Sequence, residues 1–63
     1  MKSYHIKVIT ETNNSSYVIR AQSISISSAG LYEFVNYPDG KGEVVAYFPI
    51  SRTIIYKIED ITE

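Results

Sequence analysis

Few residues in this chain could do chemistry: there is one histidine, His5, no cysteine, and many serines that lack both a second histidine and a glycine elbow. A lone imidazole can act as a general base or as one metal ligand, but each task needs partners at set spacings, and none accompanies His5. His5 shares its strand with Lys7 and is placed at a solvated rim. The acids are scattered, and Glu59, Asp60 and Glu63 gather in a stretch that suits solubility better than proton transfer. "DGKGE", residues 39–43, holds glycines and a lysine but reads as a hairpin turn, because a phosphate loop must join a strand to a helix. No catalytic residue, metal or cofactor is expected, and the chain is read as non-enzymatic.

Recognition is the chemistry that remains. Arg20 lies where an apolar alternation changes phase, a place where a sheet re-aims a side chain, and Arg52 lies beside the Pro49 corner. Planar guanidinium groups near aromatic rings suit a carboxylate or phosphate, so the pair is a candidate site for an acidic peptide or small anionic ligand. The competing assignment pairs them across strands with Glu33, Glu43 or Glu59. Among the six tyrosines, Tyr4, Tyr17, Tyr32 and Tyr56 run in phase with apolar neighbours and are assigned to the core. Tyr37 and Tyr47 are out of phase with Phe34 and Phe48 and are the candidates for an exposed contact surface. Ile55, Val45 and Ile9 add apolar area to that second face.

The elements that must position these groups alternate with period two almost throughout, and no long stretch has helical spacing, so an all-β fold is expected. The first strand is read over about residues 3–11, and "TNNSS" turns the chain, since asparagine tolerates positive φ. A second strand begins at Ser16 or Tyr17. Tyr17, Ile19 and Ala21 are odd, whereas Ile24 and Ile26 are even, so a bulge or sharp bend near residues 20–23 must absorb one residue if both halves face one core, the alternative being that "RAQS" is a corner between two separate short strands. "LYEFVNY" is the third strand, and "YPDGKG" reverses the chain, Pro38 fixing φ and Gly40 suiting the exit. "EVVAYF" is apolar on both faces and is expected to be central or covered. "PISR" has the length of one 3₁₀ turn or a tight corner. In the last strand, "TIIYKI", Ile54, Tyr56 and Ile58 are expected on one face and Ile55 and Lys57 on the other. Residues 59–63 are read as a frayed tail of a single domain spanning 1–63.

Five strands in this order, with a bent second strand and a near-minimal link in "VVAYFPISRTIIYKIE", resemble the small SH3-like and Sm-like barrels in strand pattern. The resemblance implies a five-stranded antiparallel barrel; the alternative is a strongly bent meander that closes by dimerising. It also implies an RNA or single-stranded DNA binder in which Lys2, Lys7, Arg20, Lys41 and Arg52 meet phosphates. The chain carries neither an N-terminal helix nor the Asp and Gly-Asn signatures of the Sm RNA-binding loops, so nucleic acid stands second as a partner.

Size and charge point the same way. A chain of 63 residues buries only about 60% of the surface that its unfolded form exposes. With no cysteine to staple it, self-association is the remaining support. Six basic groups against seven acidic ones provide no global field for nucleic acid or an anionic membrane. No apolar run approaches the roughly 18 residues of a membrane span, and "MKSYHIKVIT" lacks a signal-peptide pattern, so a cytoplasmic location is expected. The functional expectation is a self-associating β module, a homo-oligomer that binds a partner protein or a small anionic ligand. Its size and type suit a phage or mobile-element accessory protein that inhibits a host factor or sequesters a nucleotide.

Overall fold

A computed structural model describes residues 1–61. Six strands and one helical turn follow in order: β1 (Lys2–Ile9), β2 (Asn14–Ala21), β3 (Ser23–Ile26), β4 (Leu31–Asn36), β5 (Glu43–Pro49), a 3₁₀ turn (Ile50–Arg52) and β6 (Thr53–Asp60). They make two antiparallel three-stranded sheets, β2-β1-β6 and β3-β4-β5. The all-β expectation holds, and the count is six rather than five because the long second strand is divided at Gln22. Among the described residues no strand ladder joins the two sheets into a closed barrel.

The division at Gln22 is what lets both halves serve one core. Ile19 and Ala21 face inward from β2 and Ile24 from β3, so the chain changes phase between them. A side-chain clasp holds that change. The Gln22 N–H is shared between the Val35 carbonyl at 3.2 Å and the Asn36 Oδ1 at 2.8 Å, while Gln22 Oε1 accepts the N–H of Tyr37. Each partner thereby satisfies backbone groups that a regular ladder would have paired.

Other connections have equally local causes. The β1–β2 loop closes through Thr10, whose Oγ1 donates to the Asn13 carbonyl at 2.7 Å and accepts the Asn13 N–H at 3.0 Å. Asparagine in positive φ is not used there, since among the described residues only Gly30 and Gly40 have positive φ. Gly40, at φ 75°, follows Pro38 and Asp39 in the β4–β5 turn, where a side chain would be strained. The 3₁₀ turn is fastened at both ends: the Ile50 N–H donates to the Gly30 carbonyl at 3.0 Å and Thr53 Oγ1 to the Pro49 carbonyl at 2.6 Å. β6 stays paired with β1 through Asp60, and the Ile61 N–H reaches the Met1 carbonyl at 3.1 Å. Residues 59–61 of the expected frayed tail are thus paired, and residues 62–63 lie outside the described residues.

The core is small. Tyr4, Ile6, Ala21 and Phe34 are buried, ringed by Ile19, Ile24, Tyr32, Ala46, Phe48 and Ile55. Tyr4 of the first sheet meets Phe34 of the second edge-on, ring centres 5.1 Å apart, and Phe34 meets Phe48 at 6.0 Å in the same manner. The exposed area is 4513 Å² for 7.2 kDa, against about 4,100 Å² from the scaling for compact monomers, consistent with a thin two-layer body.

Phe34→Ala is expected to cost about 3–5 kcal/mol, enough to unfold a domain of this size in urea titrations at 25 °C. Gln22→Ala, which removes the acceptor of the Tyr37 N–H, and Asn36→Ala, which removes an acceptor of the Gln22 N–H, should each cost about 1 kcal/mol, and the double variant should depart from their sum because the two bonds are in direct contact.

Candidate functional site

Side-chain alternation gives each sheet an inner and an outer face. In β1, Tyr4, Ile6 and Val8 point inward while His5, Lys7 and Ile9 point outward, and the register carries this to the flanking strands. The outer face of the β2-β1-β6 sheet therefore shows three rows: Arg20, Ser3 and Glu59; Val18, His5 and Lys57; Ser16, Lys7 and Ile54.

A β-bulge in β6 alters what the last strand displays. His5 is opposite Lys57 and Ile6 opposite Ile55, which leaves Tyr56 as an extra residue. Ile55 and Ile58 consequently belong to the inner side, while Ile54, Tyr56 and Lys57 share the outer one. The expected grouping of Ile54, Tyr56 and Ile58 is thus corrected. Tyr56 is 58% exposed rather than part of the core, and its ring lies 6.1 Å from that of His5. Tyr17 does face inward, against Phe48 at 5.5 Å, yet it stands at the rim and stays exposed.

The second sheet has a bulge of its own. Phe34 pairs with Ala46 and Val35 with Val44, so Val45 is the extra residue of β5. β5 is an edge strand, not the central or covered one expected from its apolar run. Tyr47 lies on the outer face opposite Glu33 and is 66% exposed, and Val44 and Val45 are exposed beside it. Tyr37, 47% exposed, leaves the end of β4, and its ring and Val35 both lie beside Gly42. A Cβ on Gly42 would lie 3.3 Å from the Tyr37 ring and 3.5 Å from Val35, so glycine lets the hairpin close over both.

The five residues singled out above are therefore not one constellation. Tyr37 and Tyr47 fall on or beside the outer face of the second sheet; Arg20 is on the outer face of the first; Arg52 is exposed at the end of the 3₁₀ turn; Ile55 packs half-buried against the core. Among the described residues neither arginine forms an ion pair with Glu33, Glu43 or Glu59. Glu59 instead accepts from His5 Nε2 at 2.6 Å and lies 3.7 Å from Lys57 Nζ.

The pattern of residues did not disclose the groove of about 370 Å³ on the first sheet, lined by Lys7, Ser16, Ile54 and Tyr56. Three of these four are direct cross-strand neighbours, and only the bulge adds Tyr56. Among the described residues no three His, Asp or Glu side chains come together as a metal site would require, and no helix is long and apolar enough to cross a membrane. No family model, curated protein or solved structure matches this chain.

The His5 hydrogen bond, and after it the charge of Lys57, holds the Glu59 carboxyl below its ordinary value of 4.5. A carboxyl held low in the fold contributes its full stability above its unfolded-state pKa and loses it as the pH falls through the lowered folded-state value. NMR titration should place the Glu59 midpoint below 4.5, and His5→Ala should raise it more than Lys57→Ala does.

Proposed function

We propose that the protein is a non-catalytic β module, a partly open SH3-like barrel in strand order, that associates with copies of itself and presents its remaining surface to a partner. One observation carries the reading. Among the described residues, twelve large apolar or aromatic side chains stay exposed while five apolar residues form the buried set. Single exposed hydrophobics are ordinary, but Tyr37, Val44, Val45 and Tyr47 lie together along β5 and its hairpin, and a contiguous strip of that kind marks a protein contact.

A second copy is the occupant that the small core favours. An assembly adds to each chain the apolar burial that its own length does not supply, and makes its stability depend on concentration. The bent strand shared by the two sheets and the short 3₁₀ link support the barrel-like description. Tyrosines at the two ends of the strip suit a contact, since the ring buries much area and the hydroxyl remains wet.

Size-exclusion chromatography with light scattering at micromolar concentration is expected to give a multiple of the 7.2 kDa chain mass. Tyr47→Lys and Val45→Lys should each move the population towards monomer while far-ultraviolet circular dichroism still reports strand. A wild-type protein that stays monomeric at every concentration would remove the proposal.

A further inference from the structure

The groove on the outer face of the β2-β1-β6 sheet lies away from the strip on β5 and has a composition of its own. Ser16, Lys7 and Ile54 form one row across three neighbouring strands, where Cβ atoms of directly paired residues stand about 5 Å apart. The β6 bulge sets the exposed Tyr56 ring beside that row, and the four side chains line an open groove of about 370 Å³. This is at the low end of the roughly 300–1,000 Å³ typical of sites for small organic ligands.

Charge is distributed in the same sense. The chain as a whole is near neutral, yet this face gathers Lys7, Arg20 and Lys57. Among the described residues its one carboxylate, Glu59, is engaged by His5 and Lys57, and no acid lines the groove. Among the described residues the Lys7 ammonium has no carboxylate partner.

From these groups we infer a binding site for a small phosphorylated aromatic molecule the size of one nucleoside phosphate, its phosphate on Lys7 and Ser16 and its ring on Tyr56 and Ile54. Inorganic phosphate would use only the ammonium and the hydroxyl, and an uncharged ring only the tyrosine and the isoleucine. A ligand that engages all four carries both parts. Lysine serves phosphate as a point charge, serine adds a neutral donor, and an exposed aromatic ring stacks on a base without regard to its identity. One nucleotide is favoured over a strand because the groove is a single compartment. A strand running along the sheet towards Arg20 would also meet the carboxylate of Glu59.

Isothermal titration calorimetry with ATP, adenosine, inorganic phosphate and a 12-residue oligothymidylate tests the assignment. ATP is expected to bind at one site per chain, more weakly as salt rises, and to shift the amide resonances of Lys7, Ser16, Ile54 and Tyr56 more than those of β5. Lys7→Ala and Tyr56→Ala should each weaken ATP about tenfold or more, whereas Tyr56→Phe keeps the stack and should retain binding. Circular dichroism confirms that these surface variants fold. No ATP binding at millimolar concentration, or binding that both alanine variants leave unchanged, would overturn the site. Phosphate or adenosine binding as tightly as ATP would overturn the ligand class, and tighter binding of the oligonucleotide would replace the single nucleotide with a strand. The light-scattering measurement does not use this groove, so the two readings fail independently.

Discussion

The structure depends on a change of phase at one residue. Side chains of an extended strand alternate, so Ile19 and Ala21 can share a core with Ile24 only if the chain takes up one residue between them. Gln22 is that residue, and it stays there because its amide and side chain exchange hydrogen bonds with Val35, Asn36 and Tyr37. Without the clasp, β3 would present Ser23 and Ser25 to the interior in place of Ile24. The layer between the two sheets would then lose Ile24 from around Tyr4 and Phe34.

Everything downstream inherits this narrow junction. Tyr4 and Phe34 meet edge-on across it, and six partly covered side chains complete the layer. Two three-stranded sheets joined chiefly through one bent strand cannot enclose much more. The remaining apolar residues of β5 and β6 are left on outer faces or at the rim, and each of these strands carries a bulge that rotates part of its side chains outward. One bulge leaves the Val44, Val45 and Tyr47 strip facing solvent; the other delivers Tyr56 to the Lys7 groove. The same local device thus makes both candidate surfaces, at the expense of core volume.

The polar groups divide the surfaces further. Lys7 and Lys57 alternate with Ile54 and Tyr56 on one sheet, while Glu33 is the charged neighbour of Tyr47 on the other. His5 is hydrogen-bonded at 2.6 Å to Glu59, which the register places two rows from Lys7 on the same face.

Period-two alternation, proline and glycine turns and the odd-to-even switch between Ile19 and Ile24 were legible from residue types alone, because strand periodicity and turn chemistry are local. They determined the all-β class and a change of phase near Gln22, narrowed the segment after Pro49 to one 3₁₀ turn or a tight corner, and marked Tyr37 and Tyr47 as the candidates for exposure. Tyr56 and Ile55 were not legible, since a bulge depends on how two strands pair: one extra residue opposite His5 and Ile6 exchanged their faces with no mark in the local pattern. The edge position of β5 and the meeting of Lys7, Ser16, Ile54 and Tyr56 were likewise decided only by the tertiary structure. Register and neighbour are relations between distant segments, and alternation within a single segment does not encode them.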